Sequence, residues 1–417
     1  MRFCFLHAAD LHIDSPLAGL GLKDEAVAER FARAGRRAVE ALVDEAVAAR
    51  AAFVVISGDI FDGDWKDVTT GLFFARALGR LDREGIPTFI VKGNHDADSL
   101  MSKSLPYPRS ARLFASARAE THVIEPLRVA LHGRSFSSRL VDGAFVASYP
   151  ARREGWLNIG VLHTALDGSR GHASYAPCTI EDLRRFGYDY WALGHVHAAE
   201  IVARDPFIVY PGNIQGRSVK ETGAKGAMRV SVEDGRIVDV TPVALDRARW
   251  AHETIDIADC ADEAEALARI EARLGAVHAL SEARPLAARV TLAGATPLHA
   301  RLVARREALE EETRALAFRF ADDFWVEQLK LATQAPPRSP AAAPSDALDV
   351  EALLREAASD PAFGATLAEL ATLVADRLPR SLRGDAPTDA PALARVAETA
   401  RDLLLGELAE FGGEGAP

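Results

Sequence analysis

Cysteine is scarce in this chain: Cys4, Cys178 and Cys260 stand far apart, without CxxC spacing. That excludes a disulfide framework and a zinc knuckle, and fits buried thiols in a reducing compartment. No apolar run reaches the length of about 18 residues that a membrane span needs. A secretory leader is not expected, because Asp10 and Asp14 interrupt the first short apolar stretch. A cytoplasmic protein without a membrane segment is expected. There is no internal repeat, and no excess of basic residues. The formal net charge is −11, a deficit that is unevenly spread. Residues 1–250 hold 32 Lys and Arg against 31 Asp and Glu, and the remainder hold 17 against 29. A polyanionic substrate is therefore allowed on the first part, although charge alone does not argue for one.

The length of 417 residues suggests two or three domains. Residues 1–245 alternate strand-like apolar runs with helical patterns, the α/β signature. Val27, Phe31, Ala34, Ala38, Leu42 and Ala46 share one face of a helix over Glu25–Arg50. A second helix is expected over Val68–Glu84, stopped by Gly85 and Pro87. Short strands follow at His122–Ile124, Leu127–Leu131, Ala144–Ala147, Ile208–Tyr210, Ala227–Val232 and Ile237–Val243. A largely parallel first half and a strand-rich second half suggest two stacked sheets with helices outside. Residues 250–332 read as a small α+β capping domain, and 333–346 as a Pro/Ala-rich linker unable to build a core. Residues 347–411 carry amphipathic leucine patterns and read as a helical, partner-binding module.

Five short stretches dominate the functional reading: Asp10-Leu11-His12, Gly58-Asp59, Gly93-Asn94-His95-Asp96, His163 and Gly194-His195-Val196-His197. Each follows an apolar run of strand length, respectively Phe3–Ala9, Phe53–Ser57, Thr88–Val91, Leu157–Leu162 and Tyr190–Leu193. Ligands of open α/β sheets collect beyond the carboxyl ends of strands. Five of the twelve histidines fall in these stretches, so chance clustering is a poor explanation.

A two-metal phosphoesterase needs ions about 3.5–4 Å apart, hence an anionic ligand able to face both. Asp59, after the Gly58 turn, is the bridging candidate. The remaining ligands divide into Asp10, His12 and His197 on one ion, and Asn94, His163 and His195 on the other. Glycines at 58, 93 and 194 are expected to let the backbone bend sharply beside them. Oxygen and imidazole donors without thiolate suit Mn²⁺, Fe²⁺ or Zn²⁺ better than Ca²⁺ or Mg²⁺. His95 follows a ligand directly, so it is read as a catalytic group near the metals that does not coordinate them. Asp96 is read as the carboxylate that supports that imidazole from behind.

DLH, GDIFD (58–62), GNHD and GHVH, in that order with His163 between the last two, resemble the calcineurin-like metallophosphoesterase family. FLHAADLHIDSPLAGL (5–20) and VYPGNIQGRSVKETGAKG (209–226) resemble its DNA-repair exonuclease branch, the SbcD-like and YhaO-type proteins. The resemblance covers residues 1–245 and fills every family ligand position. It implies a four-layer sandwich of two mixed β-sheets flanked by helices. It also implies Mn²⁺ as the ion, DNA phosphodiesters as substrate and an SMC-like coiled-coil ATPase as partner. On this reading the chain is a DNA nuclease, a 3′–5′ exonuclease with room for endonuclease activity, serving in DNA repair.

Blander readings compete residue by residue. A lone Asp-x-His is common, and His163 alone reads as a core histidine; only the ordered set promotes them. His7 and His132 are expected to be structural or to support the ligands from behind, and Asp62 to steady the 58–62 turn. Tyr210 and Asn213 are equally readable as cleft or strand-end residues. Arg134, Arg139, Arg152, Arg153, Arg184 and Arg185 read as solvated surface more readily than as contacts to DNA phosphates. Two other functions stay open: a phosphodiesterase or phosphatase for nucleotides or other small phosphate esters, and an architectural clamp for a coiled-coil ATPase. The sequence also leaves open whether two copies pair.

Overall fold

The computed structural model describes residues 1–15, 25–62, 68–97, 105–138, 144–166, 178–336, 350–378 and 386–413. Two compact units emerge: Met1–Ala251 with Ser281–Ala287, and His252–Leu280 with Ala288–Pro417.

The first unit contains two six-stranded mixed sheets. Sheet one is built from β1 (Arg2–Ala8), β2 (Val54–Ser57), β3 (Thr88–Val91) and β4 (Ala111–Leu113), all mutually parallel. Sheet two takes β5 (Glu120–Ile124), β6 (Val129–Gly133), β7 (Leu157–His163), β8 (Tyr190–Gly194), β9 (Glu200–Arg204) and β10 (Phe207–Tyr210). The antiparallel pair β11 (Gly226–Glu233) and β12 (Arg236–Ala244) then closes sheet one beside β1. The order is β12-β11-β1-β2-β3-β4 in one sheet and β5-β6-β7-β8-β10-β9 in the other.

Strand alternation explains the layering. Phe5, Phe53, Val55, Phe89 and Val91 leave sheet one on the side facing sheet two. They meet Leu131, Leu157, Ile159, Val161, Tyr190 and Ala192 in one apolar core. Their neighbours Leu6, Ala8, Val54, Ile56 and Ile90 point the other way, onto α1 (Glu25–Ala48) and α2 (Val68–Arg83). Phe31, Ala34, Ala38, Leu42 and Ala46 of the expected α1 stripe are all buried, while the Val27 side chain lies outside the described residues. The outer face of sheet two buries Leu162, Trp191, Leu193 and Ile208 with Phe145 of α3 (Ala144–Ala147) and Leu183 of α4 (Ile180–Arg185). Helix, sheet, sheet and helix make four layers, as expected.

Ala144–Ala147 was expected to be a strand and is a single helical turn. Four apolar residues in a row carry no period, so helix and strand are indistinguishable from pattern alone.

The second unit holds a three-stranded sheet ordered β13-β14-β15, from Arg249–Asp256, Leu286–Ala295 and Phe324–Gln334. Its helices are α5 (Glu263–Leu280), α6 (His299–Ala304) and α7 (Arg306–Phe318), followed by α8 (Val350–Ser359), α9 (Pro361–Arg377) and α10 (Ala390–Gly413). Most of the expected linker, from 337 onward, lies outside the described residues. Helix α10 rests against α6, where His299 Nε2 meets Asp402 Oδ2 at 2.9 Å. Leu353, Phe363, Leu370, Leu373, Leu403 and Leu404 of the last three helices remain exposed. No helix among the described residues is long and apolar enough to cross a membrane.

Candidate metal centre

All five ligand-bearing stretches end at one rim, but they come from two sheets. Asp10 and His12 follow β1, Asp59 follows β2 and Asn94 follows β3, three parallel neighbours of sheet one. His163 ends β7, and His195 and His197 follow β8, which runs parallel to it in sheet two. Backbone hydrogen bonds from Asp10 N to Gly58 O (2.9 Å) and His12 N to Asp59 O (3.0 Å) lock the first two tips together.

The backbone there is unusual. Asp10, His12, Asp59 and His195 all have left-handed φ, of 51°, 40°, 52° and 98°. Such conformations cost free energy in side-chain-bearing residues and gather at functional sites. Gly58 turns with φ 94°, as expected. Gly93 and Gly194 do not share that conformation; a Cβ there would instead collide with Asp59 Oδ1 and with Ser57 O. Those two glycines serve close approach, not bending.

The side chains converge into two clusters. Ligand atoms of Asp10, His12 and His197 lie within 4.8 Å of one another, and so do those of Asp59, His163 and His195. Asn94 joins the second, its Oδ1 2.9 Å from His163 Nε2. Asp59 stands between the two. Its Oδ2 is 3.3 Å from His163 Nε2 and 4.0 Å from His12 Nε2. All seven side chains read as ligands are thus brought together at one rim.

The electrostatics show why this arrangement suits cations. Burial pushes Asp10 up to about 6, aided by the nearby Asp59 charge and opposed by His197 and His163. Burial also works against an ionised Asp59, yet His163 beside it holds that carboxyl well below the usual range. The same contact, against burial, raises His163 to about 9. Burial keeps His12 well below its ordinary value. Its Nδ1 is buried with no hydrogen-bond partner among the described residues, while its Nε2 faces His197 Nε2 at 3.2 Å. Buried carboxylates and imidazole nitrogens turned toward each other form a donor set that divalent ions fit.

His95 lies beside this centre, its ring 5.1 Å from that of His12 and its side chain 41% exposed. Its support is not the expected one. Asp96 is fully buried and accepts Ile60 N, Phe61 N and Gly93 N, so it clamps the turns carrying Asp59 and Asn94. Asp62 takes His95 Nδ1 at 2.7 Å and also accepts Ser15 Oγ at 2.6 Å. The hydrogen bond with His95 holds Asp62 well below the carboxylate range and raises His95 in return.

Sequence reasoning missed two further residues. Glu221 Oε1 lies 2.7 Å from His197 Nδ1, and Arg217 Nη1 lies 3.6 Å from Asp62 Oδ2. Both fall in the 209–226 segment, whose resemblance to the exonuclease branch was the available signal. Asn213, left open above, donates to Glu221 Oε2 at 2.9 Å. Tyr210 is structural, donating to Thr164 O at 2.9 Å. His7 and His132 are bonded respectively to Tyr190 and Leu193, and to Thr121 and Asn158. Arg134, Arg152, Arg184 and Arg185 are engaged with neighbouring protein groups, and Arg153 lies over the Trp156 ring. Arg139 lies outside the described residues.

Residues 4–199 match the family model described as calcineurin-like phosphoesterase, and 250–334 match that of the metallophosphoesterase YhaO middle domain. The uncharacterized metallophosphoesterase YhaO of Bacillus subtilis (strain 168) is 32% identical over 297 residues, covering 70% of this chain and 72% of that protein. The chain belongs to the calcineurin-like metallophosphoesterases. This metallophosphoesterase is also 28% identical to the DNA double-strand break repair protein Mre11 of Methanopyrus kandleri (strain AV19). That match spans 209 residues, 46% of this chain and 44% of the relative. Among solved structures, a dimetal phosphatase from Danio rerio superposes with a TM-score of 0.34 and 14% identity, over 58% of this chain and 99% of that one. Calcineurin-like phosphoesterases use two divalent metals, and the His/Asp clusters of this metallophosphoesterase are candidate sites for them.

Proposed function

We propose that this metallophosphoesterase is a two-metal DNA phosphodiesterase, a Mn²⁺-dependent 3′–5′ exonuclease of DNA repair. The observation that carries the two-metal part is Asp59, whose Oδ2 lies within 4.0 Å of an imidazole of either cluster. The DNA part is supported by the match to a protein named for double-strand break repair and by the branch-like segments 5–20 and 209–226.

Asp10, His12 and His197 would hold one ion, and Asn94, His163 and His195 the other, with Asp59 shared. Two bound ions supply a water acidic enough to ionise near neutral pH and neutralise phosphate oxygens. The chain's own residues supply the rest. A protonated His95 donates Nδ1–H to Asp62 and keeps Nε2–H for the leaving oxygen. Asp96 holds the two turns in register, so that Asp59 and Asn94 stay fixed through turnover.

An SMC-like coiled-coil ATPase is the proposed partner, in the cytoplasm. The apolar side chains left exposed on α8, α9 and α10 support a docking role for the tail.

Purified protein with Mn²⁺ and linear duplex DNA tests the substrate. Cleavage lost in Asp59→Asn and in chelator is expected. Hydrolysis of bis-p-nitrophenyl phosphate or nucleotide esters without any cleavage of DNA would move the function to small phosphate esters.

A further inference from the structure

Behind the first cluster runs residues 213–221, a segment pinned to the chain around Trp250. Gln215 Nε2 donates to Ala248 O at 2.6 Å, its Oε1 accepts Arg247 N at 2.8 Å, and Trp250 Nε1 donates to Gly216 O at 2.9 Å. These contacts deliver Glu221 to the rear of His197, where the carboxylate is only 13% exposed. Both of its oxygens are engaged. Oε1 lies 2.7 Å from His197 Nδ1 and 3.2 Å from Arg217 Nη2; Oε2 accepts Arg217 N at 2.7 Å and Asn213 Nδ2 at 2.9 Å. Lys225 Nζ holds the His197 carbonyl at 2.8 Å, so backbone and ring are both tethered.

We propose that Glu221 is a positioning residue that fixes His197 as a metal-ligating imidazole. The inference rests on the two-metal reading above and names the carboxylate that completes one of its two sites. A carboxylate accepts only from a protonated nitrogen, so Nδ1 carries a hydrogen, and in the neutral ring that ligates a cation Nε2 then keeps the lone pair. Nε2 is the atom that faces Asp10 Oδ1, at 3.9 Å, and His12 Nε2. Arg217 Nη2 also approaches Nδ1, at 3.3 Å, but a guanidinium cannot donate to a protonated nitrogen; its hydrogen goes to Oε1. His163 and His197 differ in this respect. His163 Nδ1 rests on the neutral carbonyl of Ser57 at 2.9 Å, whereas His197 has an anion behind it. An anionic partner orients the ring and fixes its tautomer. Glu221 therefore strengthens one site and leaves the other alone.

The test is isothermal titration calorimetry of the full-length, metal-stripped protein with Mn²⁺ alone. The unsubstituted chain should bind two ions. Glu221→Gln should weaken one site by roughly 10–100-fold and leave the other unchanged. Two unaltered sites in the variant would overturn this inference alone; no binding by the unsubstituted chain would overturn the two-metal reading with it. Equal weakening of both sites with a lowered melting temperature would mean that Glu221 only braces the fold, and would overturn it too. A second measurement avoids the substitution. Histidine ¹⁵N spectra of the metal-free chain should show His197 protonated at Nδ1, and protonation at Nε2 instead would overturn the assignment.

Discussion

His95 and Asp62 stand 33 residues apart in sequence and 2.7 Å apart in space. With Nδ1 occupied by a carboxylate, the ring would act as the proposed acid through its other nitrogen. His95→Asn should keep its metal content, by elemental analysis, while kcat on a model diester falls roughly 10²–10⁴-fold. Loss of the ions instead would make His95 a ligand. The pH profile offers a second check. Asp62 raises His95, and a general acid is lost as pH rises through its pKa. Asp62→Asn lowers that pKa, so the alkaline limb of the rate profile should move to lower pH. The convergence of the candidate ligands was legible in the sequence because each is a His, Asp or Asn at or shortly after the end of a buried strand, several of them beside glycine. Asp62, Arg217 and Glu221 were not, because a lone charged residue gives no hint of a partner that only folding brings near. Asp96 misled for the opposite reason. It adjoins His95 in sequence, yet its side chain turns inward to three backbone amides.

Between elements, the contact that matters most is the meeting of β2 and β8 at the rim. Gly194 closes β8 directly against Ser57 O at the end of β2, with no room for a methyl group. Gly194→Ala should destabilise the fold by about 1–3 kcal/mol, the usual cost of overpacking, seen as a lower urea midpoint. His7 of β1 reaches across the sandwich to Tyr190 OH at 3.0 Å and Leu193 O at 3.1 Å on β8. Burial pulls this imidazole down to about 3 from an ordinary 6.5. As pH falls below that ordinary value, the unfolded chain takes up a proton that the folded one refuses. Stability from this residue should therefore decline with acidification between the two values, at up to about 1.4 kcal/mol per pH unit. In His7→Gln, the change in urea midpoint between pH 6.5 and pH 4.5, relative to wild type, should be smaller. The 24-residue α1 was readable from its period, and β1, β3 and β8 from apolar runs that lead into the candidate ligands. Two others were not: β4 has three residues, two half-buried and Arg112 exposed, and the turn at Ala144–Ala147 has no period.

At the scale of the whole chain, every candidate ligand belongs to the first unit. A chain ending at residue 336 should keep its hydrolysis of bis-p-nitrophenyl phosphate within about twofold, because the residues that would hold ions and move protons all remain. It should also lose association with the proposed ATPase; a truncated protein that still co-purifies with it would contradict the tail's docking role. A cut at 250 is a different matter. Ser281–Ala287 returns to the first unit, where Arg284 Nε donates to Asp246 O at 2.8 Å and Arg249 N bonds Pro285 O at 2.8 Å. That shorter chain should melt lower than the one ending at 336. The sequence reading drew its boundary at 245, since a seven-residue return leaves no mark in composition. One last consequence concerns the origin of the ligands. Each cluster recruits side chains from both sheets: Asp10 and His12 with His197, and Asp59 with His163 and His195. Each cation would therefore rivet the two layers across their open margin. Stripping the ions should let that margin fray, with faster amide exchange at the tips of β2 and β8, while the far end of the sandwich stays shut.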